Sequence, residues 1–232
     1  MTARASSRSP SLVRSRFLFL ALVLGGLSSL GAPRPAFADG ADGASTTISI
    51  LTESTEGGGS WIRSDTELVR AYPLPLGAFK AVLEDFEAYP RFLPRLVRTT
   101  VLSRDRSCAT IRQRYEIAIL GYRYPTEYDL ALVIAEDRQS GSWNLSWNLA
   151  GTDGSVGASA GSWTLESYVD AEGQRGTRVT HRNHGVVRKK FPLQEPIMRA
   201  VAAKELGRSI DAVYQEAYRR SSTVTRSSAG ME

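Results

Sequence analysis

The chain predicts an α+β domain, in which a long antiparallel sheet has one face covered by a single C-terminal helix. Three observations carry that expectation. Apolar residues alternate with period two through most of residues 61–187, the mark of strands buried on one face. Near the C-terminus the period changes, and Met198, Ala202, Leu206, Ile210, Val213 and Ala217 fall four or three apart, as on one face of a helix. Between the first strand and the others lies a short helical stretch cut by Pro90 and Pro94, where proline removes a backbone donor and stops the helix. The helix is the large apolar cover available to an antiparallel sheet of this length.

Residues 1–38 read as a secretory signal. Arg4, Arg8, Arg14 and Arg16 form a basic start without acids, an apolar run FLFLALVLGGLSSLG follows at 17–31, and Ala36-Phe37-Ala38 supplies small residues where a signal peptidase reads. The run is short for a membrane span. Cleavage after Ala38 and a periplasmic location are expected, and the alternative is an uncleaved N-terminal segment that anchors the protein to the membrane. No cysteine lies near the cleavage region, which excludes a lipoprotein. Residues 39–59, DGADGASTTISILTESTEGGG, are small, acidic and rich in Gly, Ser and Thr. They are expected to form a flexible leader, although TTISIL within them has the composition of a strand.

The folded domain is expected over 60–220. SWIRSDTELVRAYPL is its first strand, closed by Pro73 and Pro75. In LGAFKAVLEDF, Phe79, Val82, Leu83 and Phe86 have helical spacing. FEAYPRFLP then repeats an aromatic at every third position, Phe86, Tyr89 and Phe92, around its prolines, which predicts a short corner. RLVRTTVLSRD and CATIRQRYEIAIL read as strands around a turn near 104–107. After a break at Gly121, YRYPTEYDLALVIAED puts Tyr124, Thr126, Tyr128, Leu130 and Leu132 on one face, and SWNLSWNLAG does the same with Trp143, Leu145, Trp147 and Leu149. AGTDGSVGASAG is not followed by a helix and is expected to be a mobile hairpin loop. GSWTLESYVD and GTRVTHRNHGVV complete the strands around a turn at 171–173. The helix is expected over 195–218, with Pro196 in its first turn. Residues 221–232, SSTVTRSSAGME, are expected to be a disordered tail.

Charge and chemistry narrow the function classes. The whole chain carries +5, but residues 1–38 hold five arginines and no acid, so the remainder has 24 basic and 24 acidic residues and no net charge. The basic pI therefore belongs to the export segment and gives no reason to expect nucleic acid. Cys108 is the only cysteine, so no intramolecular disulfide is possible. His181 and His184 fall on opposite faces of one strand and do not converge on an ion, so neither a metal nor another cofactor is expected. There is no Gly-x-Ser-x-Gly elbow and no phosphate-cradling loop. Arg112, Arg114 and Glu116 share one strand face, and Glu127 and Asp129 share the facing one, as solvated cross-strand ion pairs do.

AVLEDFEAYPRFLP at 81–94 resembles the corner of the START, polyketide-cyclase and birch-pollen-allergen (SRPBCC) superfamily of helix-grip proteins. Within it the chain looks most like the coenzyme Q-binding, START-like branch. GSWTLES in the next-to-last strand and the C-terminal helix support the likeness, which extends over about residues 67–217. It implies a curved sheet of about six to seven strands wrapped around the C-terminal helix, two short helices after the first strand, and a tunnel between sheet and helix.

The expected ligand-binding residues follow from that arrangement. Phe86, Tyr89 and Phe92 plug or gate one end, or are ordinary packing beneath the corner. Tyr115, Tyr128, His181 and Asn183 face inward, Trp143 and Trp147 lie across from the helix, and Met198, Ala202 and Leu206 line it. The expected function is an exported binder of an apolar small molecule, such as a lipid or isoprenoid quinone, without catalytic residues. The alternative is a cyclase or dehydratase of polyketide-like substrates, with His181 as general base. RKKFP at 188–192 offers Arg188, Lys189, Lys190 and Phe191 to an anionic membrane surface, or is a solvated loop.

Overall fold

The computed structural model describes residues 44–54, 59–119, 122–137 and 139–229; the expected signal segment lies outside them. Eight strands form one antiparallel sheet: β1 (Ser45–Ser54), β2 (Ser60–Tyr72), β3 (Leu96–Arg104), β4 (Cys108–Ile119), β5 (Tyr122–Asp137), β6 (Ser142–Thr152), β7 (Val156–Val169) and β8 (Arg175–Arg188). Their spatial order is β1-β2-β8-β7-β6-β5-β4-β3. After β2 the chain crosses to the far edge through helix α1 (Leu76–Leu83) and a 3-10 helix, Phe86–Arg91. It then meanders back until β8 pairs with β2, and α2 (Gln194–Ala229) follows. This is the helix-grip arrangement.

The proline corner is built from its own side chains. Pro90 sits inside the 3-10 helix, where its missing N–H is tolerated because the turn is short. The Tyr89 hydroxyl donates to the Leu83 carbonyl at the end of α1, 2.5 Å away. Phe86 and Phe92 each meet the Tyr89 ring edge-on, with centroids 5.8 Å apart. Three aromatics at a spacing of three thus fill the inside of a tight reversal.

Register decides which side chains face the helix, because directly opposed antiparallel residues share a face. Arg70 of β2 bonds Asp211 of α2 at 3.0 Å, so the even-numbered residues of β2 point toward the helix. Carried across the pairing, the same face holds Val179, His181 and Asn183 of β8, Gly161, Trp163 and Leu165 of β7, and Trp143, Leu145 and Trp147 of β6. It continues through Tyr128, Leu130 and Leu132 of β5 to Ile111, Gln113 and Tyr115 of β4 and Leu96 and Thr99 of β3. Beneath the second half of α2 this face is solid. Phe79, Leu165, Val179, Ile210 and Ala217 are fully buried and Leu68, Trp143 and Val213 nearly so. Each large apolar side chain there contributes about 1.5–3 kcal/mol by leaving water. Tyr72 stacks on Tyr214 of α2 at 4.6 Å and tilts against Phe79 of α1 at 5.5 Å, tying the two helices to β2.

The structure departs from the sequence expectation in three places. Residues 45–54 are not a flexible leader but strand β1, paired along its length with β2, which makes the strands eight rather than six or seven. Ile48 and Ile50 alternate with polar residues, and Ile50 is 3% exposed, so a Ser/Thr-rich stretch still has a face to bury. The supposed mobile loop is largely strand. The turn is only 153–155, held by Gly154 and Ser155 N–H donation to the side chains of Thr152 and Asp153, and β7 resumes at Val156. Finally, α2 runs 36 residues to Ala229, about ten turns. Ser221, Ser222 and Thr223 donate their hydroxyls to carbonyls one turn back, so a composition typical of tails stays helical.

Candidate ligand-binding site

Alternation aims the indole of Trp147 at the concave face, where the opposed residue on β7 is Gly161. A β-carbon at Gly161 would stand 2.2 Å from the Trp147 ring and 2.3 Å from the Arg182 carbonyl. Glycine is therefore what lets the indole lie on the β7 backbone. The His181 imidazole borders this indole, with centroids 5.7 Å apart, and meets Trp163 edge-on at 4.4 Å. Its Nδ1 has no hydrogen-bond partner in another residue. Burial lowers the pKa of His181 to about 4, an effect only partly offset by its own backbone, so the imidazole is neutral at physiological pH. Asn183 shares this face and is half-buried.

A second cluster lies toward β3. Tyr115 and Tyr128 stack nearly parallel, with centroids 5.9 Å apart and planes 5° apart, and their phenols share a hydrogen bond. Beside them Gln113, 5% exposed, is opposed by Tyr128 on one side and Thr99 on the other. The Thr99 hydroxyl has no partner. Burial pushes the Tyr115 phenol up to about 12 and that of Tyr128 well above its ordinary value.

These groups combine two properties. Tyr115, Tyr128 and His181 are only half-buried by area, yet all three are strongly desolvated. Both hold when the remaining surface faces a recess rather than bulk water. The first half of α2 agrees, since Met198, Ala202 and Leu206 are half-buried whereas Ile210 and Ala217 further along are fully buried. Burial along α2 thus rises from the first half, where Leu206 packs only partly against the core, to the second half, where Ile210, Val213 and Ala217 are enclosed.

Not all the expected site residues share this environment. Phe86 is 1% exposed and Tyr89 7%, and both belong to the packed corner, with the Arg104 guanidinium over the Phe86 ring at 5.1 Å. Phe92 is half-buried at the edge of that packing. Trp143 is 1% exposed and lies in the solid part of the core, with its Nε1 unpartnered. Sequence reasoning missed Gly161, Trp163, Gln113 and Thr99. Strand alternation gives the faces of Trp163 and Gln113, but the pairing of Gly161 with Trp147 appears only once the β6–β7 register is known.

Apart from Arg175, exposed at the hairpin end of β8, the charged strand residues that the register puts on the concave face are engaged among the described residues. Arg70 pairs with Asp211, Glu136 with Lys80, and Arg104 stacks on Phe86. The opposite face carries an open groove of about 560 Å³ over β1, β2, β8 and β7. Its floor is two closed pairs, His184 with Asp65 at 2.6 Å and Arg182 with Glu67 at 2.9 Å. Arg112 likewise grips Asp129 with two bonds of 2.8 and 3.0 Å. Among the described residues no group of three His, Cys, Asp or Glu is placed to hold a metal ion, and no helix is long and apolar enough to cross a membrane.

Residues 81–213 match the family described as polyketide cyclase / dehydrase and lipid transport. Among solved structures, the chain is similar to a STAR-related lipid transfer protein from Xanthomonas axonopodis, with 12% identity, a TM-score of 0.55, and coverage of 73% of this chain and 98% of that one. It is also similar to human StAR-related lipid transfer protein 5, with 8% identity, a TM-score of 0.53, and coverage of 78% and 89%. A third likeness is to the ZhuI aromatase/cyclase of a Streptomyces species, with 16% identity, a TM-score of 0.50, and coverage of 68% and 95%. At these identities the likeness is one of fold. No curated protein matches the chain.

Proposed function

The chain belongs to the polyketide cyclase / dehydrase and lipid transport family, and from that premise we propose that it binds an apolar small molecule between the concave sheet and the first half of α2. The observation that carries this reading is the pairing of partial exposure with strong desolvation at Tyr115, Tyr128 and His181. Side chains in that condition line a space that excludes water and accepts apolar surface. Trp147, Asn183, Met198, Ala202 and Leu206 complete the lining, and a lipid or an isoprenoid quinone suits it. The lipid-transfer names of two structural neighbours are consistent with such a ligand.

A cyclase or dehydratase reaction is the second reading, and the neutral His181 beside the recess favours it. Its pKa of about 4 makes it a weak general base at neutral pH, so binding is preferred. Native mass spectrometry of protein purified from its own host tests the reading. The expected spectrum shows a retained mass that solvent extraction removes. A ligand-free protein that also takes up no added apolar probe would overturn it.

Export with cleavage after Ala38 predicts envelope-fraction protein that begins at Asp39; intact Met1 in the cytosol would contradict it. Release at a membrane is assigned to Arg188, Lys189, Lys190 and Phe191, where β8 passes into α2 beside Leu193, 63% exposed. Each cation near an anionic surface adds roughly 1 kcal/mol. Replacing Lys189 and Lys190 by Glu should release the protein from phosphatidylglycerol vesicles in flotation, and unchanged flotation would refute the assignment.

A further inference from the structure

Resting on the binding reading above, we propose that the ligand is uncharged, flat and ring-based, and carries a hydroxyl that hydrogen-bonds the His181 imidazole while its ring lies against Trp147. Among the described strand residues, Arg70, Arg104, Glu136 and Arg175 are the charged side chains on the helix-facing side of the sheet. The first three are paired or stacked, and Arg175 lies exposed at the hairpin end of β8, six residues from His181. None is left beside Trp147 and His181 to meet a carboxylate or phosphate, and an ionised group taken from water without a partner is strongly disfavoured. A fatty acid or a phospholipid headgroup therefore has no counter-ion here.

The indole of Trp147 rests on Gly161, and a β-carbon at that position would collide with the ring at 2.2 Å. With His181 beside the indole and Trp163 edge-on to His181, the three rings form a fixed aromatic floor. Such a floor stacks a planar partner better than a flexible chain, because little conformational freedom is lost on either side. The His181 imidazole is neutral; its Nδ1 is enclosed, whereas the ring as a whole keeps accessible surface, so the other ring nitrogen is the one a ligand meets, and a polar group left unpaired away from water is costly. A neutral imidazole offers a donor or an acceptor according to tautomer, and a hydroxyl satisfies either. A ketone could only accept, and a carboxylate brings the excluded charge.

A panel of four probes separates these claims by titration against the intact mature protein: anthracenylmethanol, anthracene carboxylate, dodecanol and dodecanoate. The expected order puts anthracenylmethanol at least about tenfold tighter than either the planar carboxylate or the straight-chain alcohol. In His181→Phe the preference for anthracenylmethanol over unsubstituted anthracene should fall about tenfold from the parent's, and an unchanged preference would overturn the hydroxyl contact. A carboxylate that binds as tightly as its matching alcohol would overturn the uncharged ligand, and dodecanol equal to anthracenylmethanol would overturn the flat one. Tight binding of dodecanoate would leave an apolar-ligand carrier standing and this inference refuted. Failure of all four probes would refute both.

Discussion

His181 is held neutral by its surroundings, and this has a measurable consequence for stability. Its pKa is about 4 in the folded protein against an ordinary 6.5. As pH falls past 6.5 the unfolded chain takes up a proton that the folded state refuses, so stability is lost progressively down to about pH 4 and then levels off. The ceiling of that loss is about 3 kcal/mol, since each pH unit between the two values is worth roughly 1.4 kcal/mol. Urea unfolding across this range should show His181→Phe gaining on the parent by up to that amount as the pH falls. Carboxylates titrate alike in both proteins and cancel. Parallel curves would mean that water reaches His181 freely.

At the scale of elements, β1 is the sharpest contrast between composition and structure. Its Ser, Thr and acidic residues resemble a linker, yet Ile50 is 3% exposed and Thr52 bonds Glu195 at the start of α2. If β1 is an integral strand, Ile50→Ala should destabilise the domain by about 2 kcal/mol or more in a single cooperative transition. An unchanged melting temperature would return these residues to the status of leader. The corner and α2 were more legible, because their patterns are local. Prolines flanking a three-residue aromatic repeat define a reversal wherever they occur, and apolar residues four and three apart define a helix face. The end of α2 was not legible, since back-bonding of Ser221, Ser222 and Thr223 leaves no apolar period to read.

Across the whole molecule, alternation assigned Tyr115, Tyr128, Trp147, His181 and Asn183 to the inner face correctly, because a strand's two faces are fixed by parity alone. Parity does not say how far along the sheet a residue lies. Phe86, Tyr89 and Trp143 point inward and end in packed core, whereas Trp147, four residues beyond Trp143, is half-buried. That difference depends on where α2 presses on the sheet, and hence on long-range contacts. The glycine beneath Trp147 depends likewise on the pairing of β6 with β7.

If the first half of α2 roofs a space for a ligand, as proposed above, filling that space at Ala202 is decisive. This small, half-buried residue lies between Met198 and Leu206 on the helix. Ala202→Trp, compared with the parent by thermal melting with and without anthracenylmethanol, should melt close to the parent in the absence of probe. It should also lose the probe-induced rise in melting temperature, because the indole occupies the ligand's place. A variant that melts several degrees lower without probe would mark Ala202 as packed core, where overfilling costs about 1–3 kcal/mol. Either that result, or a probe-induced rise equal to the parent's, would contradict the account.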